Sequence, residues 1–330
     1  RRIELGVDVN LAETAPIEVR KDDGVMRRLE RFTDPGSKAT LSPTAFFRYV
    51  ACPLRFYFHS VARLDAGDEI SEEVDAPMFG TILHAAVQRL YAPIEGEAHP
   101  GGTLRALIRT GEVAAAVEAA IGEHYLKDPK ATAADYTGNL VLVKDIVVRY
   151  LRGGVMPYDA AHDGFRVEGL ERRVDYGFDF TTAGGPQRMK FSGIADRIDR
   201  LDDGSLRVVD YKTGKPHNRF RDVAALFSSV AAERSPAVLQ TLLYAMMLSQ
   251  SENCDVQPAL YYVRSMQDER FSPLLVEGDR PVLRFSDYRE SLNGHLQKTL
   301  SELFDFSKPF EQCEDRSVCA YCDFREICRR

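Results

Sequence analysis

The spacing of apolar positions divides the chain into a helical first half and a strand-rich second half. Leu41-Ser42-Pro43-Thr44 opens a helix, with Ser42 suited to cap it and Pro43 to occupy its first position. Phe46, Phe47, Tyr49 and Val50 follow before Cys52-Pro53 interrupts. Phe79, Leu83, Val87 and Leu90 recur at helical spacing and predict a helix over about 76–91, closed by Pro93. From about 94 to 160 the chain is Ala-rich and mostly helical, with breaks at Pro100-Gly101-Gly102 and near Tyr136-Thr137-Gly138. The period then changes. Val174, Tyr176, Phe178 and Phe180 alternate as in a half-buried strand. Two more strands are predicted at about 188–201 and 205–213, separated by Asp202-Asp203-Gly204. A helix over about 238–249, a strand over about 259–264 and a helix over about 286–304 complete the pattern. This predicts a mixed α/β fold, a small and mainly antiparallel sheet flanked by helices. Residues 1–40, polar and broken at Pro35-Gly36-Ser37, read as a linker or peripheral segment; 41–330 read as a single domain with a helical insertion at about 94–160.

Composition sets the outer bounds. With 44% hydrophobic residues in 330, the chain has enough apolar material for a sizeable core. It is neither a disordered chain nor a small disulfide scaffold. The most apolar run, Leu140 to Val148, is broken by Lys144 and Asp145, so no membrane span is expected. The start lacks a signal-peptide pattern, and its opening on Arg1 suggests a piece of something longer. A net charge of −7 disfavours a generic nucleic-acid coat. Action on DNA would need local positive charge, for which Arg20–Arg31 and Arg197–Arg200 are candidates, or a bound divalent ion.

Six cysteines change the picture. Cys319, Cys322 and Cys328 crowd the C-terminus as C-x2-C-x5-C, a spacing suited to sharing one metal centre. Zinc and an iron–sulfur cluster are both compatible, and both need a fourth ligand. Cys52, in Ala51-Cys52-Pro53-Leu54-Arg55-Phe56, is the natural candidate. Cys254 and Cys313 read as spare thiols, Cys313 being the nearer to the group. Retained thiols point to a reducing compartment, the cytoplasm.

The Asp202-Asp203-Gly204 turn fits a three-residue hairpin loop with Gly204 in the left-handed conformation. In that register Asp196 lies directly opposite Asp210, and Lys212 shares the face of Asp210. Ile194, Ile198, Leu206 and Val208 share that face, so two carboxylates and a lysine project from apolar surroundings. The plain alternative is an Asp–Lys ion pair with Asp196 at a solvated strand end. A divalent cation is the usual resolution of two carboxylates so placed.

Four further segments sharpen the choice. Gly80-Thr-Ile-Leu-His84, Gly193-Ile-Ala-Asp196, Asp210-Tyr-Lys212 and Gln240-Thr-Leu-Leu-Tyr244 occur in that order. Together with Cys52 and the terminal cysteines, they make the chain from about 41 to 328 resemble the RecB-like branch of the PD-(D/E)XK nucleases. Within that branch it is most similar to the C-terminal nuclease domain of AddB-type subunits of helicase–nuclease complexes. The resemblance implies a restriction-endonuclease-like core and a DNA exonuclease acting in recombination or double-strand-break repair beside a helicase subunit. It implies Mg²⁺ or Mn²⁺ held by Asp196, Asp210, the carbonyl of Tyr211 and His84, with Lys212 orienting water or neutralising charge on the phosphate. Gln240 and Tyr244 would contact the DNA strand or support the lysine, where the plain alternative is a helix edge packed on the sheet. Cys52, Cys319, Cys322 and Cys328 would hold a [4Fe–4S] cluster in a structural role. Glu168 and Glu171, just before the first predicted strand, are each able to supply an outer carboxylate. Alternatives are a stand-alone CRISPR-associated-type exonuclease, a non-cutting module that binds single-stranded DNA or a partner, and a zinc-stabilised binding module. No phosphate-binding Gly-x4-Gly-Lys-Ser/Thr loop is present, so a helicase motor is not expected in this piece.

Overall fold

A computed structural model describes residues 16–64 and 74–330, and the first part of the expected linker, 1–15, lies outside the described residues. Four strands form the central sheet: β1 (Phe165–Thr182), β2 (Gly185–Leu201), β3 (Leu206–Lys212) and β4 (Val256–Tyr262). They lie in that order, with β1–β2 and β2–β3 antiparallel and β3–β4 parallel, so the sheet is mixed. The β2–β3 turn has the expected geometry. Gly204 is left-handed (φ 85°), Leu201 N–H donates to Ser205 O at 2.9 Å, and Arg197 pairs with Val209.

Helices cover both faces. Ile198, Leu206, Val208 and Leu260 pack into one core with α8 (Pro236–Ser251), which is apolar on nearly all sides because it lies under the sheet. Leu292, Leu296 and Leu300 of α9 (Arg289–Leu303) join that core beside Phe178 and Phe180. The other face, with Val209, Tyr211, Ala259 and Tyr261, packs on the helical insertion. That layer begins with α3 (Ala76–Tyr91) and continues through α4 (Gly101–Ile108), α5 (Glu112–His124), α6 (Leu140–Tyr150) and α7 (Met156–Ala161). The helix starts follow the sequence. Ser42 Oγ accepts from Ala45 N–H at 3.0 Å to cap α2 (Pro43–Ala51), and Asp75 Oδ1 accepts from Met78 N–H at 2.8 Å to cap α3.

Two expectations change, those for Arg197–Arg200 and for Ile194, while the segment read as a linker or peripheral segment packs on the domain from residue 16 onward. Glu18–Val19 pair with Phe310–Glu311, and Val25 and Leu29 of α1 (Asp23–Glu30) enter the core with Phe32. Arg197–Arg200 is no DNA strip, because Arg197 is fully buried and Arg200 is paired with Glu168. Ile194 is half-exposed rather than packed on a helix, because the β2–β3 ladder stops at Arg197 and leaves it beyond the covered part of the sheet.

Candidate active site

The carboxylates gather where the β2–β3 ladder ends. Asp196 and Asp210 stand one step beyond the last pair, Arg197↔Val209. There the Asp196 side chain replaces the main chain as partner, Oδ2 accepting the Tyr211 N–H at 2.9 Å. Asp210 is 3% exposed. Its burial, reinforced by the charge of Asp196, raises its pKa to about 6 against the pull of the Lys212 ammonium. Lys212 Nζ lies 2.6 Å from Asp210 Oδ2, so the ammonium is the close counter-charge of this buried carboxylate.

His84 arrives from α3, the insertion side. Its Nε2 lies 3.3 Å from the Tyr211 carbonyl oxygen, and its Nδ1 lies 3.5 Å from Asp196 Oδ1 and 3.7 Å from Glu171 Oε1. Burial pulls its pKa down, but hydrogen bonds to Asp196 and Glu171 outweigh that and raise it to about 10. Gly80, one turn earlier, opens on empty space: a Cβ added there meets nothing within 4 Å.

Glu171 is the residue that sequence reasoning left undecided. It is not before the first strand but inside β1, between the pairs Leu170↔Arg197 and Arg172↔Ala195, and so across from Asp196. A register shift between Val167 and Gly169 puts it there; the register of Val167↔Asp199, continued without a bulge, would set it against Ala195. Its backbone is left-handed (φ 46°), a conformation a glutamate rarely adopts, and such strain clusters at functional sites. Gly169, a glycine inside the strand at the shift, is the local signal that could have marked the bulge. Glu168 is instead bound to Arg200.

On the other side of the lysine, α8 supplies the expected pair. Lys212 Nζ donates to Gln240 Oε1 at 3.2 Å. Tyr244 is buried against Gly193, where a Cβ would lie 2.7 Å from its ring. Gln240 thus supports the lysine, and Tyr244 packs on the sheet.

The donor set suits a hard divalent cation. One atom each from His84, Glu171 and Asp196 lie within 4.8 Å of one another, and the Asp210 carboxylate, with Lys212 beside it, stands at the same strand end. Oxygen ligands dominate, as Mg²⁺ and Mn²⁺ prefer.

A second group of donors lies at the C-terminus. Cys52, Cys319, Cys322 and Cys328 line one small pocket, and Cys313 lines it with them. All six cysteines are free thiols. Cys313 hydrogen-bonds to Cys52 and thereby lowers the Cys52 pKa to about 6, so five thiols rather than four converge.

The chain is similar over 199 residues, at 23% identity, to an ATP-dependent helicase/deoxyribonuclease subunit of the AddB type from Clostridium tetani (strain Massachusetts / E88). That match covers 57% of this chain and 16% of the relative, so the chain spans only a small part of the relative's length. The family model described as the PD-(D/E)XK nuclease superfamily matches residues 40–329, nearly the whole chain, and the mixed sheet between two helical layers is consistent with its restriction-endonuclease-like fold. The chain therefore belongs to the PD-(D/E)XK nuclease superfamily.

Proposed function

We propose that this chain is a divalent-metal-dependent DNA exonuclease module that works beside a helicase subunit in recombination or double-strand-break repair. The observation that carries the reading is the meeting of Asp196, Asp210, Lys212, His84 and Glu171 at one strand end, with the buried Asp210 carboxylate paired to Lys212. Asp196, Asp210, Glu171, His84 and the Tyr211 carbonyl would hold Mg²⁺ or Mn²⁺. The ion supplies Lewis acidity toward the scissile phosphate and the attacking water. Lys212, steadied by Gln240, holds a positive charge where the phosphate becomes more negative. The open space at Gly80 leaves room for the sugar–phosphate backbone beside His84.

The same reading assigns a structural [4Fe–4S] cluster to Cys52, Cys319, Cys322 and Cys328, in a reducing, cytoplasmic setting. The clustering of soft thiols supports it. Among the described residues no helix is long and apolar enough to cross a membrane.

The test is cleavage of end-labelled linear single-stranded DNA with Mg²⁺ or Mn²⁺, comparing wild type with Asp210→Ala. Degradation by wild type alone is expected. Equal activity in both would remove the site from the hairpin. Binding without cutting by either would favour a non-cutting module or a domain that needs its helicase partner.

A further inference from the structure

The sheet face turned away from the carboxylates carries a buried ionic assembly that the proposed reaction does not use. Arg197 has no exposed surface. Its Nη1 donates to Asp159 Oδ2 at 2.6 Å and to the Tyr211 phenol oxygen at 2.9 Å, and its Nη2 donates to Asp159 Oδ1 at 3.2 Å and Asp199 Oδ2 at 3.0 Å. Tyr91 and Tyr261 donate their hydroxyls to Asp159 at 2.5 and 2.8 Å. Arg207 donates to Asp199 at 2.7 Å, so two arginines face two aspartates and the assembly is neutral. Such a group is costly to desolvate, and well-packed apolar side chains of similar volume often give equal or greater stability. Stability alone is therefore a weak account of it.

Its members interleave with the site along the chain. Arg197 follows Asp196, Tyr211 sits between Asp210 and Lys212, and Tyr91 lies two turns after His84 on α3. Asp159 comes from α7 of the insertion. Tyr211 belongs to both faces. Its phenol accepts from Arg197, its amide donates to Asp196, and its carbonyl meets His84.

We propose that one contact of this assembly, Arg197 to Tyr211, is a positioning device for the metal site: Arg197, held by Asp159 of the helical insertion through its own two hydrogen bonds, fixes the Tyr211 phenol and so aims the peptide groups that Tyr211 presents to Asp196 and His84, while Tyr261 only packs and bonds beside it. Tyr211 and Asp159 are positioning residues, and the insertion is coupled to the centre through them. The inference rests on the reading of the site as a divalent-metal centre.

Two tyrosines separate positioning from mere support. Tyr211 and Tyr261 are partners on adjoining strands, both buried, and both hydroxyls accept from Arg197. Only the main chain of Tyr211 bonds to a carboxylate of the site, whereas that of Tyr261 lies in the β3–β4 ladder. Loss of one hydroxyl keeps the ring and its packing in either variant.

The experiment is Mn²⁺ binding without DNA, followed by electron paramagnetic resonance of the free ion, with thermal unfolding of the same samples. For Tyr211→Phe the Mn²⁺ dissociation constant is expected to rise about tenfold, the lower end of what losing an outer-shell partner does. For Tyr261→Phe it stays at the wild-type value while the melting temperature falls as in Tyr211→Phe. Unchanged Mn²⁺ affinity in Tyr211→Phe, or equal weakening in both variants, overturns the positioning role and leaves the metal reading intact. Wild-type protein that binds no Mn²⁺ overturns the metal reading, and this inference with it.

Discussion

Asp210 shows, in a single side chain, what the site costs the fold. Its carboxylate is nearly inaccessible and faces a second carboxylate, with the Lys212 ammonium as its close counter-charge. Its pKa of about 6 in the folded protein lies above the ordinary value near 3.9, so the folded state binds its proton more tightly. Metal-free stability from this group is therefore fully present below about pH 4 and is lost as pH rises through about 6. Asp210→Asn removes the buried charge. It should abolish cleavage and stabilise the protein in EDTA at pH 8 by about 1–2 kcal/mol, somewhat less than the roughly 3 kcal/mol that two pKa units represent, because Lys212 loses its partner. Urea unfolding at pH 8 and pH 4 measures this. A gain that persists at pH 4, or none at pH 8, contradicts the account.

Among the helices and strands, two glycines have opposite roles. Gly80 lies inside α3, where alanine is the better helix former and meets no neighbour. Gly80→Ala should therefore raise stability by up to about 1 kcal/mol. If the backbone of DNA runs over that surface, the same change should raise KM for single-stranded DNA, and steady-state kinetics beside a melting curve tests both halves. Gly193 is the opposite case. A methyl group there would lie 2.7 Å from the Tyr244 ring and 3.1 Å from Pro43 Cδ. Gly193→Ala should destabilise by about 1–3 kcal/mol as α8 and α2 are pushed from β2. A melting temperature equal to wild type would mean that the Tyr244 contact is loose.

At the scale of the whole domain, early and late segments of the described residues are joined. Glu18–Val19 pair with Phe310–Glu311, Lys21 Nζ donates to the Glu302 carbonyl of α9 at 2.9 Å, and the cysteine pocket joins Cys52 to the C-terminal tail. A cluster bridging Cys52 and Cys319 would close a loop of more than half the chain. By loop entropy that restrains the unfolded state by about 3–5 kcal/mol. Cys328→Ser should lower iron content, visible absorbance and melting temperature together in anaerobically purified protein. Loss of iron with unchanged melting would contradict the latch. Cys313→Ser is expected to keep its iron, since four other thiols remain.

Much of this was legible in one dimension. Helix starts were, because caps and apolar spacing act within a few residues: Ser42 and Pro43 begin α2, and Phe79 to Leu90 give α3 its buried face. The bringing of Asp196 and Asp210 to the same end of their hairpin was too, one step beyond its last pair, because a three-residue turn with left-handed Gly204 sets the register of its own hairpin. The linear order of residues could not reveal what long-range packing decides. A bulge far from any turn brings Glu171 opposite Asp196, the stacking of the insertion on the sheet buries Arg197 with Asp159, and the folding-back of the tail sets Cys313 beside Cys52. Each joins segments separated by at least 25 residues, and nothing local fixes their relative register. The sequence thus determined the elements and the chemistry of the hairpin, while the tertiary structure decided which other side chains complete the site.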